Sequence, residues 1–344
     1  MPEITYFYRY PNPIYFSIEG LFDAISTGIA TRDAAEFTVR KKSMPFPSSL
    51  SNIIRNIAFS RREQSAINHI TGDIYYAVLG FSKRHINLLT VHDCVALHKY
   101  PRTNPRHWLI KWIWYDLPVR KADLVTVISE SSAAELIRFT GCPREKIRVI
   151  PNFIDPAFRF EPARNASGKA SGKAVILFIG TTPNKNLDRL MEAVQGLPVH
   201  LEIIGFLDSA QTGRLDSLGI SYRQSSGLSK EELLTRYRDC DLLAFPSTYE
   251  GFGLPILEAQ AVGRPVLTSD RSPMKEVAGL GACLVDPEDI ASIRRGLLAI
   301  LQDTAFREEL VRSGQENVKA YSREKVIQAY ADVYRLLMDK KKTG

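Results

Sequence analysis

Leu242-Leu-Ala-Phe-Pro-Ser-Thr-Tyr-Glu-Gly-Phe-Gly-Leu-Pro-Ile-Leu-Glu258 reads as an apolar strand, a glycine loop and the start of a helix. Leu242–Phe245 is apolar throughout, the pattern of a central strand in a parallel sheet covered on both faces. Gly251 and Gly253 remove the side chains that would hold backbone N–H groups away from a ligand, and Pro255 suits the first turn of the following helix. The free N–H groups and the dipole of that helix favour an anion, such as a diphosphate, just beyond the strand's carboxyl end. Glu250 precedes this anion site and Glu258 lies in the first turns of the helix. Carboxylates repel phosphate, so their natural partners are hydroxyls on either side of it. Taken alone the two glutamates leave a second reading open, because Ser247-Thr-Tyr-Glu250 also fits a capping box and Glu258 a solvent-facing helix position.

The flanking residues extend the pattern. From Leu228 to Pro287 the chain carries Leu-Ser-Lys-Glu-Glu-Leu, Tyr237, the strand and glycine loop, Gly263-Arg-Pro-Val266, Ser269-Asp270, Pro273-Met-Lys-Glu-Val-Ala-Gly279 and Leu284-Val-Asp-Pro287 in that order. This order resembles the retaining glycosyltransferases of family four (glycosyl transferases group 1), which have the GT-B fold. Looser matches are Phe178-Ile-Gly180, Pro183-Asn-Lys185, Thr90-Val-His-Asp93 and Ala122-Asp-Leu-Val-Thr-Val-Ile-Ser129. The resemblance implies an α/β chain of two Rossmann-like domains with parallel sheets facing across a cleft, the first binding acceptor and the second donor. It also implies a C-terminal helix that crosses back to the first domain. The expected division is 1–165, 166–322 and 323–344.

The residues themselves support that division in part. At 344 residues the chain suits two ordinary cores. Glu161–Gly172, rich in Gly and Ser, reads as a linker. Expected strands are Ile4–Tyr8, Ile74–Val78, Asn87–Val91 and Leu124–Ile128, then Ala174–Ile179, His200–Ile204, Leu242–Phe245 and Pro265–Thr268. Expected helices are Leu187–Gln195, Lys230–Arg238, Pro255–Ala261, Ile290–Gln302 and the amphipathic Arg323–Met338. Alternation of strand and helix implies parallel sheets.

Composition sets limits on partners. Residues 1–165 hold 22 Lys+Arg against 15 Asp+Glu, while the rest hold 23 of each, so the net +7 belongs to the first half. Such an excess favours an anionic partner: a phospholipid surface, a lipid-linked phosphate or, least of all, nucleic acid, whose binding signatures are missing. A basic surface with no partner also fits. The four scattered cysteines make neither a disulfide framework nor a zinc site and suit a reducing cytoplasm. The N-terminal residues do not read as a signal peptide and no apolar run reaches membrane-span length, so any membrane contact is expected to be peripheral, on the inner face of the plasma membrane. All three tryptophans lie in His107–Tyr115. Trp108 and Trp112 share one helical face, which either packs inward or rests with Arg106 and Lys111 at a lipid interface.

The resemblance assigns roles by position. Glu250 and His92 would orient the hexose as catalytic residues, and Glu258 would hold the ribose. Gly180, Thr181, Lys185, Leu228 and the Gly251-Phe252-Gly253-Leu254 backbone would bind the rest of the donor, Lys185 reaching the diphosphate. Similar enzymes add an arginine where this chain has Thr181 or Asn184. Their N-terminal glycine turn has its nearest equivalent in Ser17-Ile-Glu-Gly20, so Gly20, with Asp93, is a weak acceptor-side candidate. Asp239-Cys-Asp241 has the spacing of a metal-binding pair but precedes its strand, at the wrong edge for a diphosphate. The expected activity is therefore metal-independent transfer of a hexose from a nucleotide-diphosphate sugar, GDP-mannose or a UDP-sugar, to a glycan or lipid-linked acceptor in surface polysaccharide assembly, with no cofactor. A sugar-nucleotide epimerase and a non-catalytic GT-B scaffold at a membrane surface are the alternatives; a dehydrogenase would need a Gly-x-Gly-x-x-Gly after an early strand.

Overall fold

The computed structural model describes residues 1–11, 17–98, 103–162 and 172–343. Asn165-Ala-Ser167, a glycosylation triplet by its spacing, lies outside the described residues, as do Lys99 and most of the Gly/Ser-rich run. The chain divides into two units, Met1–Phe153 with Arg323–Gly344, and Ile154–Ser322. The division falls before the Gly/Ser-rich run. Ile154 N–H donates to the Tyr321 carbonyl (3.0 Å), and Phe158 packs edge-on to Tyr237, so residues 154–162 go with the second unit.

The first unit contains six parallel strands, β1 (Glu3–Tyr8), β2 (Thr38–Ser43), β3 (Ile67–Ile70), β4 (Ile86–Val91), β5 (Leu124–Val127) and β6 (Ile147–Val149), in the order β2-β1-β3-β4-β5-β6. β4 and β5 are buried at every position, as strands covered on both faces must be. One face of the sheet packs against Tyr75–Val78, Tyr115 and Val119; the other against helix Ser17–Arg32 and the terminal helix Arg323–Thr343. Val326, Ile327, Tyr330, Val333, Tyr334 and Leu337 form the buried stripe of that terminal helix.

Ile74–Val78 is not a strand. Tyr75–Gly80 forms a 3-10 helix with Tyr75, Tyr76, Ala77 and Val78 buried. A short apolar run covered on all sides carries no periodicity that separates strand from helix. Gly20 is likewise not in a turn: it lies exposed in the first turn of helix Ser17–Arg32.

The second unit also has six parallel strands, β7 (Ala174–Ile179), β8 (Val199–Ile204), β9 (Ser221–Ser225), β10 (Leu242–Phe245), β11 (Val266–Ser269) and β12 (Ala282–Val285). Their order, β12-β11-β10-β7-β8-β9, is that of a doubly wound sheet in which the strand succession reverses between β7 and β10, all strands staying parallel. Ligands bind such sheets at that reversal, outside the carboxyl ends of the strands.

Candidate functional site

The loops after β7 and β10 leave the sheet side by side at this reversal. Gly180 follows β7 with φ +88, a left-handed conformation, and a side chain there would come within 2.9 Å of Lys185 Cε. Glycine therefore gives the lysine stem its path. Pro183–Lys185 forms a 3-10 turn, and Asn186, at φ 70, reverses the backbone into helix Leu187–Val194. Asparagine is among the few residues that tolerate this conformation. Its buried side chain also donates to the Pro246 and Pro287 carbonyls (2.9 and 2.7 Å), tying the two loops together.

Lys185 Nζ meets Glu250 Oε1 at 2.6 Å and lies 4.8 Å from the centre of the Phe245 ring. Both side chains of the pair are mostly buried, at 20% and 13% exposure, so the charges are held in fixed positions with little water around them. Ser247 and Glu250 do not cap a helix. The helix after the loop is Leu254–Val262, its N-cap is Gly253 at φ 102, and no side chain bonds its first N–H groups. That leaves a nine-residue helix end open to an anion, with Pro255 in the first turn. Phe252 turns its ring away into a buried contact with Tyr321 and can offer only backbone.

Glu258, one turn into this helix, accepts a hydrogen bond from Tyr237 Oη (2.6 Å). Burial pushes its carboxyl up to about 7, the Tyr237 hydrogen bond pulls it partly back, and the charge of Asp155 raises it slightly. Tyr237 belongs to the family-like order of residues, but nothing in its spacing pairs it with Glu258; its place on the apolar side of helix Lys230–Asp239 says only that its hydroxyl needs a partner. Leu228 follows Gly227 (φ 64) at the end of β9, just before the capping box of Ser229 and Glu232.

The positions where similar enzymes place an arginine are taken up by struts. Thr181 Oγ1 donates to the Phe206 carbonyl (2.5 Å), and its own carbonyl accepts from Gln211 (3.0 Å). Asn184 donates to the Tyr249 carbonyl (3.0 Å), while its backbone carbonyl accepts from Thr248 N–H (2.8 Å). Arg189 donates to Asn186 Oδ1 (3.0 Å) and so supports the turn. At the opposite edge of the sheet, Asp241 accepts from Val175 N–H (2.6 Å), a strand-pairing role.

His92 and Asp93 follow β4 in the first unit. A carbonyl can only accept, so His92 Nε2–H donates to the Thr71 carbonyl (2.9 Å) and Nδ1 keeps its lone pair. Burial holds the imidazole below its usual range, hence neutral. Asp93 Oδ1 accepts from Val95 N–H (3.0 Å) at the start of a short helix.

The family pattern described as glycosyl transferases group 1 matches residues 159–317, and that of glycosyltransferase family 4 matches residues 26–158. The chain belongs to these glycosyltransferases. It is 28% identical over 297 residues to the serotype-specific mannosyltransferase WbdA of Escherichia coli, covering 76% of this chain and 36% of that protein. The chain thus spans about a third of WbdA. It is 26% identical over 301 residues to the O-antigen chain mannosyltransferase B of Escherichia coli, covering 80% of this chain and 78% of the relative. Among solved structures, HepE of Anabaena, crystallised with UDP and glucose, superposes with a TM-score of 0.77 at 16% identity, covering 97% of this chain and all of that one. Sucrose-phosphate synthase of Thermosynechococcus elongatus gives 0.77 at 17% identity over 99% of this chain and 100% of its own. These likenesses show the fold, and the fold is GT-B.

Proposed function

We propose that the protein transfers a hexose, with retention and without a metal, from a nucleotide-diphosphate sugar to a glycan or lipid-linked acceptor presented at the cytoplasmic face of a membrane. The names of its relatives favour mannose. The observation that carries this reading is the Lys185–Glu250 pair, set across Gly180 at the sheet reversal and beside an open helix end. Lys185 and the Gly251–Leu254 backbone would neutralise the leaving diphosphate, Glu250 and His92 would orient the hexose, and Glu258 would accept from the ribose. The departing phosphate oxygen would take the acceptor proton on the face of the sugar that it leaves. Protein groups fixed before the reaction would supply charge stabilisation at little reorganisation.

The test is thermal unfolding of the protein in EDTA with GDP-mannose and a panel of UDP-sugars, followed by transfer assays with the sugar that stabilises most. We expect one nucleotide sugar to raise the melting temperature and transfer to survive EDTA. Stabilisation by none of them would overturn the donor reading, and activity that EDTA abolishes and magnesium or manganese restores would overturn the metal-free one.

A further inference from the structure

The helical run from Pro105 to Lys121 presents an apolar stripe outward. Trp108, Leu109 and Trp112 are 54%, 41% and 53% exposed, at a spacing that aligns them on one face. The inward side is occupied differently. His107 is buried, Tyr115 packs edge-on to Tyr75, and Trp114 packs on Tyr76 while its Nε1–H donates to the Asp73 carbonyl (3.0 Å). The helix is thus anchored through its other face; Trp108 also meets the His107 ring edge-on, yet both it and Trp112 leave about half of their surface in water.

The sequence flanking the stripe carries charge of one sign. Between Asp93 and Asp116 it contains no acidic residue, and of its basic ones Arg106 and Lys111 lie in the described helix. Lys111 is committed to Asp116 (2.6 Å), and Arg106 is exposed in the helix's first turn. A second copy of the chain would bring like charges together on this face. An anionic bilayer meets both requirements: headgroups for the cations, and an interface in which indole rings sit with their N–H in water and their bodies among acyl chains.

We propose that Trp108, Leu109 and Trp112, flanked by Arg106, insert into the headgroup region of an anionic membrane and hold the first unit there. This deepens the reading of a membrane-presented acceptor and is independent of the donor assignment. Because all three tryptophans lie in this helix, their fluorescence reports on it directly. The experiment adds vesicles of phosphatidylcholine with and without 30% phosphatidylglycerol to the full chain at low salt. We expect sedimentation with the anionic vesicles, a blue shift of emission, and quenching by lipids brominated near the headgroup. The double variant Trp108→Ser/Trp112→Ser should bind at least tenfold more weakly, and Arg106→Glu should weaken binding while leaving the indoles in place. Thermal unfolding and nucleotide-sugar stabilisation of both variants should match the parent, which separates failure of this surface from failure of the transferase reading. Absence of vesicle binding by the parent, binding without quenching, undiminished binding of the double variant, or conversion of a dimer to monomer by the tryptophan substitutions with vesicle binding unchanged would each overturn the proposal.

Discussion

The Glu258 carboxyl, held by burial near a pKa of about 7, carries a proton in the folded state over a range where the unfolded chain has released it. Between the ordinary carboxylate value of 4.5 and 7, stability therefore falls as pH rises, and above 7 the whole cost of a charged, enclosed carboxylate remains. Glu258→Gln should be more stable than the parent at pH 8 by about 1–3 kcal/mol relative to their difference at pH 4, as read from urea unfolding at the two values. Donor binding should act oppositely. Hydroxyls that donate to the carboxylate favour its charged form, so binding releases a proton and affinity rises from pH 6 to pH 8. Calorimetry in buffers of different ionisation enthalpy should show that release, and Glu258→Gln should abolish it. The Lys185–Glu250 pair makes a second prediction. On the proposed reading Lys185→Met would remove a charge-assisted contact to phosphate, and donor affinity should fall by about 1.5–3 kcal/mol, or roughly ten- to a hundredfold. Glu250→Gln should lower turnover more than affinity. Because each side chain is the other's partner, the double variant should depart from additivity by about 0.5–3 kcal/mol; strict additivity in a double-mutant cycle would show that the pair does not work as a unit.

At the scale of elements, what the sequence reveals follows burial. β7, β10 and helix Ile290–Gln302 are legible because an apolar run or a clean amphipathic stripe marks each of them. The strands that escape sequence reading are β2, β6, β9 and β12, the four sheet edges, and β3. β2 is Thr-Val-Arg-Lys-Lys-Ser, its charges answered by Glu3, Asp23 and Glu63, which is how a strand keeps an open edge from pairing with another chain. β3 is central but contains the buried Asn68 and His69. The candidate site divides in the same way. The glycine loop and Lys185 are readable as motifs, whereas the struts from Thr181, Asn184 and Asn186 and the Tyr237 bond to Glu258 depend on chain crossings that spacing does not encode.

His69 shows what its strand gains. Tyr334 Oη donates to Tyr6 Oη (2.9 Å), so the proton between Tyr334 and His69 comes from His69 Nδ1–H (2.7 Å), and Nε2 must accept from Thr90 Oγ1 (2.7 Å). A one-way chain of hydrogen bonds then runs from Thr126 through Thr90, His69 and Tyr334 to Tyr6. Burial lowers the His69 pKa to about 3, so the unfolded chain takes up the extra proton between pH 6.5 and 3, and stability is lost as pH falls through that window. Tyr334→Phe leaves two buried groups short of a partner, which should destabilise the first unit by about 1–3 kcal/mol and lower its melting temperature by several degrees in calorimetry. An unchanged melting temperature would mean that the chain of bonds contributes nothing net.

On the scale of the molecule, the two units are unequal in how they close. The second is built from one continuous stretch, Ile154–Ser322, whereas the first needs Arg323–Gly344 to complete it. Charge is distributed with the same asymmetry: the first unit holds 26 Lys+Arg against 16 Asp+Glu, the second 19 against 22. The late helix covers Ile4, Tyr6, Phe22, Ile25 and Ile29. A ribosome finishes the first sheet long before it reaches that helix. At about 5–20 residues per second, the stretch between Phe153 and the end of the helix takes roughly 10–40 s to translate. For that time the nascent first unit shows an uncovered aromatic and aliphatic face while the second unit folds behind it, so order of emergence and order of completion are reversed in this chain.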